Sequence, residues 1–134
     1  MDKAGNLYGT TLYCGASDEG IVWKVNRKGV ETILHRFTGG ASDGAYPFAG
    51  VVLDSKGNLY GVATQGGANN DGIVYEMSKR GRLTVRHSFD GSDGESPFGE
   101  VLRDANGSLF GTAPYGGTGG GCSYYGCGTV WAYK

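Results

Sequence analysis

The stretch Gly57–Gly81 reads GNLYGVATQGGANNDGIVYEMSKRG, and the stretch Gly5–Gly29 reads GNLYGTTLYCGASDEGIVWKVNRKG, 52 residues earlier and without a gap. A third copy opens at Gly107 as GSLFGTAPYGG and closes at Gly128 as GTVWAYK, with six more residues in the loop between them. The segments joining the copies repeat too. Ile33–Gly57, ILHRFTGGASDGAYPFAGVVLDSKG, corresponds to Val85–Gly107, VRHSFDGSDGESPFGEVLRDANG, which is two residues shorter. A self-similar period of about fifty residues marks an array of supersecondary units, each unable to bury its apolar faces alone.

Within the central copy, β-branched and aromatic residues bounded by glycine and Asp/Asn turns predict four strands: Gly50–Asp54, Leu59–Thr64, Gly72–Met77 and Leu83–Phe89. No segment has helical periodicity. Ile73, Tyr75 and Met77 alternate along one face of the third strand, and Val74 on the other face is also apolar, so this strand is expected to be covered on both sides. Gly5, Gly57 and Gly107 occupy hairpin positions where a positive φ is expected.

Four short antiparallel strands per period predict an all-β fold of β-propeller type. With strands labelled A to D, the chain reads B-C-D, A-B-C-D, A-B-C. The single repeat domain, residues 1–134, then holds a partial blade over 1–38, a complete blade over 47–90 and a partial blade over 97–134. Propellers typically close with 4–8 blades. The expectation is therefore exposed edges and faces, and assembly of copies into a homo-oligomer, with a two-chain, six-blade ring the simplest form.

Composition supports this reading. Of 134 residues 27 are glycine, far above the usual share of roughly 7%, but only 3 are proline and no G-X-Y period exists, so collagen is excluded. A 39% hydrophobic, 12% aromatic chain with net charge −1 is also wrong for a disordered coil. The near balance of 12 basic and 13 acidic residues offers no footprint for nucleic acid or an anionic membrane. No apolar run approaches the roughly 20 residues of a membrane span, and the start MDKAGN does not read as a signal peptide.

The recurring G-N-L-Y-G, the glycine loop leading to G-[IT]-V-[WY], and the link F-x-G-S-D-G-x-x-P resemble the GloVer tandem repeat family of long bacterial secreted or surface proteins. The resemblance covers essentially the whole chain. It implies a propeller-like array, an extracellular or cell-surface location and no enzymatic activity.

Residues able to carry chemistry are few. His35 and His87 are equivalent, 52 residues apart, and read as structural on the outer strand. No Ser/His/Asp constellation has distinctive spacing and G-x-S-x-G is absent, so no catalytic residue is assigned. The acidic links, with Asp43, Asp90, Asp93 and Glu95, are open to calcium but read more simply as turn caps. No other cofactor and no metal site is expected. Cys122 and Cys127, in the lengthened loop, are expected to form a disulfide, with free thiols as the alternative; zinc lacks further ligands. Cys14, where the other copies have Gly66 and Gly116, is left over.

Matched aromatics, Tyr8, Tyr60 and Phe110 in one strand and Trp23, Tyr75 and Trp131 in another, read first as packing between blades. Tyr115, Tyr124 and Tyr125 in the lengthened loop, together with Trp131, are the candidate ligand-binding residues. The function expected is a non-catalytic repeat module with a structural or protein-interaction role. The alternative is a carbohydrate-binding, lectin-like propeller, with a glycan or a surface protein as partner.

Overall fold

Each copy of the pattern folds into its own small antiparallel sheet in the computed structural model, which describes residues 1–122 and 124–134. The first sheet comprises β1 (Leu7–Thr11), β2 (Ile21–Val25) and β3 (Glu31–Arg36), in that spatial order. After a two-residue strand, β4 (Gly44–Ala45), the second sheet is formed by β5 (Val52–Leu53), β6 (Leu59–Ala63), β8 (Ile73–Met77) and β9 (Leu83–Ser88), ordered β5-β6-β8-β9. The third holds β10 (Leu102–Arg103), β11 (Leu109–Ala113) and β12 (Thr129–Tyr133). A fourth, two-stranded ladder joins β4 to β7 (Gln65–Gly66) and ties the first link to the second sheet.

The fold is all-β, and no helix occurs among the described residues. The four strands expected in the central copy are present with ends trimmed by one or two residues. The three sheets do not close into a ring or barrel among the described residues.

The hairpins repeat the same backbone bonds to an aspartate carboxylate. In the central copy the Asp54 carboxylate accepts the backbone N–H groups of Lys56 and Asn58, both at 2.8 Å, and the Asn58 amide and Tyr60 hydroxyl also donate to it. Gly57, at φ 84°, lets the chain reverse beneath that carboxylate. Asp2 with Asn6 and Tyr8, and Asp104 with Asn106 and Ser108, rebuild the same turn. The hydrogen bonds from Asn6 hold the Asp2 carboxyl down to about 2.

A second recurring device explains the glycine inside each G-N-L-Y-G strand. Gly9 lies opposite Trp23, Gly61 opposite Tyr75 and Gly111 opposite Trp131. Each aromatic ring lies flat across its glycine, in space that a Cβ would occupy. A β-bulge follows Val22 in the β2/β3 pair and Val74 in the β8/β9 pair, at equivalent places.

The sheets stack face to face in chain order, and the two junctions use the same positions. At the first, Val22 and Phe37 pack on Leu59, Ala63, Ile73, Tyr75 and Met77 of the second sheet. At the second, Val62, Val74 and Phe89 pack on Val101, Leu109, Ala113 and Trp131 of the third. Phe37 meets Tyr75 edge to face at 5.4 Å, and Phe89 meets Trp131 at 5.9 Å. Every sheet thus has a leading face, carrying the aromatic-over-glycine pair, and a trailing face, which meets the leading face of the next sheet.

Candidate interaction surfaces

The histidines brace the links between sheets. His35 Nε2 lies 3.0 Å from Asp43 Oδ1, and His87 Nε2 lies 2.6 Å from Asp93 Oδ2. Each imidazole also meets the buried Phe two residues on, edge to face at 4.9 Å. Asp43 accepts further hydrogen bonds from the Thr38 N–H, the Thr38 hydroxyl and the Gly44 N–H. Burial works against the Asp43 carboxylate, but His35, Gly44 and Thr38 together outweigh it and hold its pKa below the ordinary range.

This geometry bears on chemistry. The Thr38 hydroxyl points its proton at Asp43, not at the imidazole. Asp43, the more buried of the carboxylates considered for calcium, is turned onto protein donors through both oxygens. Asp90 likewise accepts from Ser92 and from the Asp93 N–H, and these bonds lower its pKa. Among the described residues no group of three or more His, Cys, Asp or Glu side chains is placed to hold a metal ion.

The outer sheets each leave one face open, and they are opposite faces. The third sheet exposes its trailing face: Val130 is 84% exposed and Leu102 67%, with Phe110 beside them. The first sheet exposes its leading face, where Leu7 is 50% exposed, near Ile33 and the half-buried Trp23. The corresponding residues of the second sheet, Val74 and Leu59, are buried.

The lengthened loop holds a different surface. Cys122 and Cys127 are bonded, with Cα atoms 5.3 Å apart, while Cys14 is free and exposed. Cys14 has φ 98°, the left-handed geometry that Gly66 and Gly116 adopt at the matching positions. Tyr125 lies 5.7 Å from Tyr115 and 5.6 Å from Tyr124, and all three rings are exposed. Trp131 is not with them. Its ring is buried between Gly111 and Phe89, and its indole N–H has no partner.

Four further aromatics join the three tyrosines. Phe98 lies 6.3 Å from Tyr115 and 5.3 Å from Phe48, and an open cleft of about 450 Å³ brings Phe48 and Phe98 together with Tyr13 and Tyr46. The sequence signal for them is the Pro-Phe pair in each link, an apolar ring set where the surrounding residues are too polar and turn-rich for a core.

The sequence model of the Gloeobacter/Verrucomicrobia repeat matches residues 1–134. No curated protein and no solved structure matches the chain. No helix of the described residues is long and apolar enough to cross a membrane.

Proposed function

The chain belongs to the Gloeobacter/Verrucomicrobia repeat family, and from that premise we propose that it is a non-catalytic, propeller-type repeat module of the cell exterior that assembles with copies of itself. One observation carries the reading. The first sheet leaves open a leading face and the third a trailing face, the two surfaces that already meet twice inside the chain. A second copy placing its leading face on Val130 and Leu102 would repeat those junctions. Such a contact is heterologous, and closes into a ring or runs on as a filament according to the rotation per sheet.

The polar groups fit a scaffold. The histidines and aspartates are spent on bracing links, and the tyrosines of the hairpins on capping turns. A disulfide in an exposed loop suits an oxidising exterior.

Two single-face variants test the proposal. Leu7→Glu blocks the leading face and Val130→Glu the trailing face, each at a site exposed enough to leave folding intact. Each variant alone should be held to small species by light scattering, and a mixture should give a one-to-one pair through the two intact faces. Full assembly of either variant on its own would overturn the head-to-tail arrangement.

A further inference from the structure

We propose that the run of exposed aromatic rings along one edge of the stack is a binding strip for an extended, neutral glycan chain. It begins at Tyr13 and Tyr46, 5.8 Å apart, on the cleft that also holds Phe48 and Phe98. From Phe98 it continues through Tyr115 and Tyr125 to Tyr124. The first and third copies and both links contribute rings, and none of these rings belongs to either core cluster.

Exposure of large apolar groups is costly, so rings with nothing to cover need a reason. Phe48 is 61% exposed and Phe98 41%, yet each directly follows a fully buried proline, Pro47 or Pro97. Those prolines sit against Gly20 and Gly72, so the backbone that presents the rings is fixed. The residues just before the prolines, Tyr46 at φ 56° and Ser96 at φ 51°, are non-glycine residues in the left-handed region. That conformation is strained for a residue with a side chain and gathers at ligand clamps. It recurs at both links, where it turns the following phenylalanine outward.

The chemistry between the rings selects the ligand. The cleft is lined by rings, Leu12, and the neutral polar residues Thr64, Gln65 and Ser96, with no charged side chain among them. An anionic polymer therefore finds no counter-charge there. The main chain along the strip is already paired: Tyr46 N–H to Glu19 O, Thr64 N–H to Tyr46 O, Ser96 N–H to Asp71 O and Glu95 N–H to Tyr115 O. Little backbone is left to add a peptide strand. The Thr64 hydroxyl is buried and donates to the Tyr46 carbonyl, so what remains is electron-rich ring faces with the Gln65 amide and the Ser96 hydroxyl between them. Sugar rings offer the match, since their slightly positive C–H faces stack on the negative face of an aromatic ring and their hydroxyls bond to neutral polar groups. The successive rings are tilted by 62° at Phe48/Phe98 and 79° at Phe98/Tyr115, so the strip suits a twisting chain better than a flat crystalline surface.

The strip shares no residue with the open sheet faces, so its failure and that of self-assembly are separable. Affinity electrophoresis through gels containing hydroxyethyl cellulose, galactomannan or dextran is the test, with alginate and a proline decamer as competitors in parallel runs. At least one neutral polysaccharide should retard the protein. The double variant Phe48→Ala/Phe98→Ala should weaken that retardation at least tenfold while its melting temperature is unchanged, and Val130→Glu should retain it. Absence of retardation in all three neutral gels would overturn the proposal. So would retardation indifferent to the double variant, binding to alginate alone, or binding to the proline decamer alone, which would make the strip a peptide surface.

Discussion

Val74 and Val130 hold the same place in two copies of one sequence pattern, yet Val74 is completely buried and Val130 is 84% exposed. Leu59 and Leu7 differ in the same way. The central sheet is sandwiched between neighbours and each outer sheet is covered on one side only, so the fate of a side chain is decided by the presence of an adjacent sheet, not by its own strand. In repeat proteins the intrinsic stability of a unit and the interface between units are separate contributions. Here the same residue can be read with and without its interface.

Alanine substitution at matched positions measures that difference. The largest loss is expected for Tyr75→Ala, because the ring fills the first junction against Phe37 and covers Gly61; a cost of about 3–5 kcal/mol should appear in urea titration. Leu59→Ala should cost about 2–5 kcal/mol, whereas Leu7→Ala, measured where the protein is monomeric, should cost a small fraction of that. For Val74→Ala the expectation is about 2 kcal/mol, and for Val130→Ala it is within about 0.5 kcal/mol. Equal losses within a matched pair would mean that the outer faces are covered already.

Next in size is the link. Asp43→Asn removes the charge and replaces one of the two accepting oxygens shared by His35, Thr38 and Gly44 with an amide donor, and should cost about 1–3 kcal/mol. Asp43 is held below its unfolded pKa, so its contribution is complete above the ordinary carboxylate range, near 4, and is lost as pH falls through the lower folded value. Acid titration of thermal stability should therefore be shallower in Asp43→Asn than in the parent. The lengthened loop comes last. Cys122→Ser/Cys127→Ser opens a bridge only five residues long and should leave the core sheets intact, with a loss below about 2 kcal/mol. Thiol titration of the denatured parent should find one free thiol, Cys14; three would contradict the bridge.

Much of the fold was legible in the sequence because the repeat is legible. G-N-L-Y-G at Gly5 and Gly57 and G-S-L-F-G at Gly107 locate the hairpins, and alternation around Val74 announces a strand covered on both sides. Other features had no local signature. The ring-over-glycine pairs depend on cross-strand register, which joins Gly61 to Tyr75 across a loop and is fixed only by folding. The β4/β7 ladder is two residues long and lies in glycine-rich segments that read as turns. Trp131, a ligand candidate as one of the matched aromatics, is covered by Phe89 from the preceding sheet. Phe48 and Phe98 lie in turn-rich links directly after a proline, and only the stack shows their rings continuing the line of Tyr115, Tyr124 and Tyr125.

The central claim is that a leading and a trailing face, left open at opposite ends of the stack, complete each other between copies. Sedimentation equilibrium of the unmodified chain at micromolar concentration tests it most directly. The account predicts a folded species whose mass is a multiple of 14.0 kDa. A folded, stable monomer of 14.0 kDa across that range would contradict it.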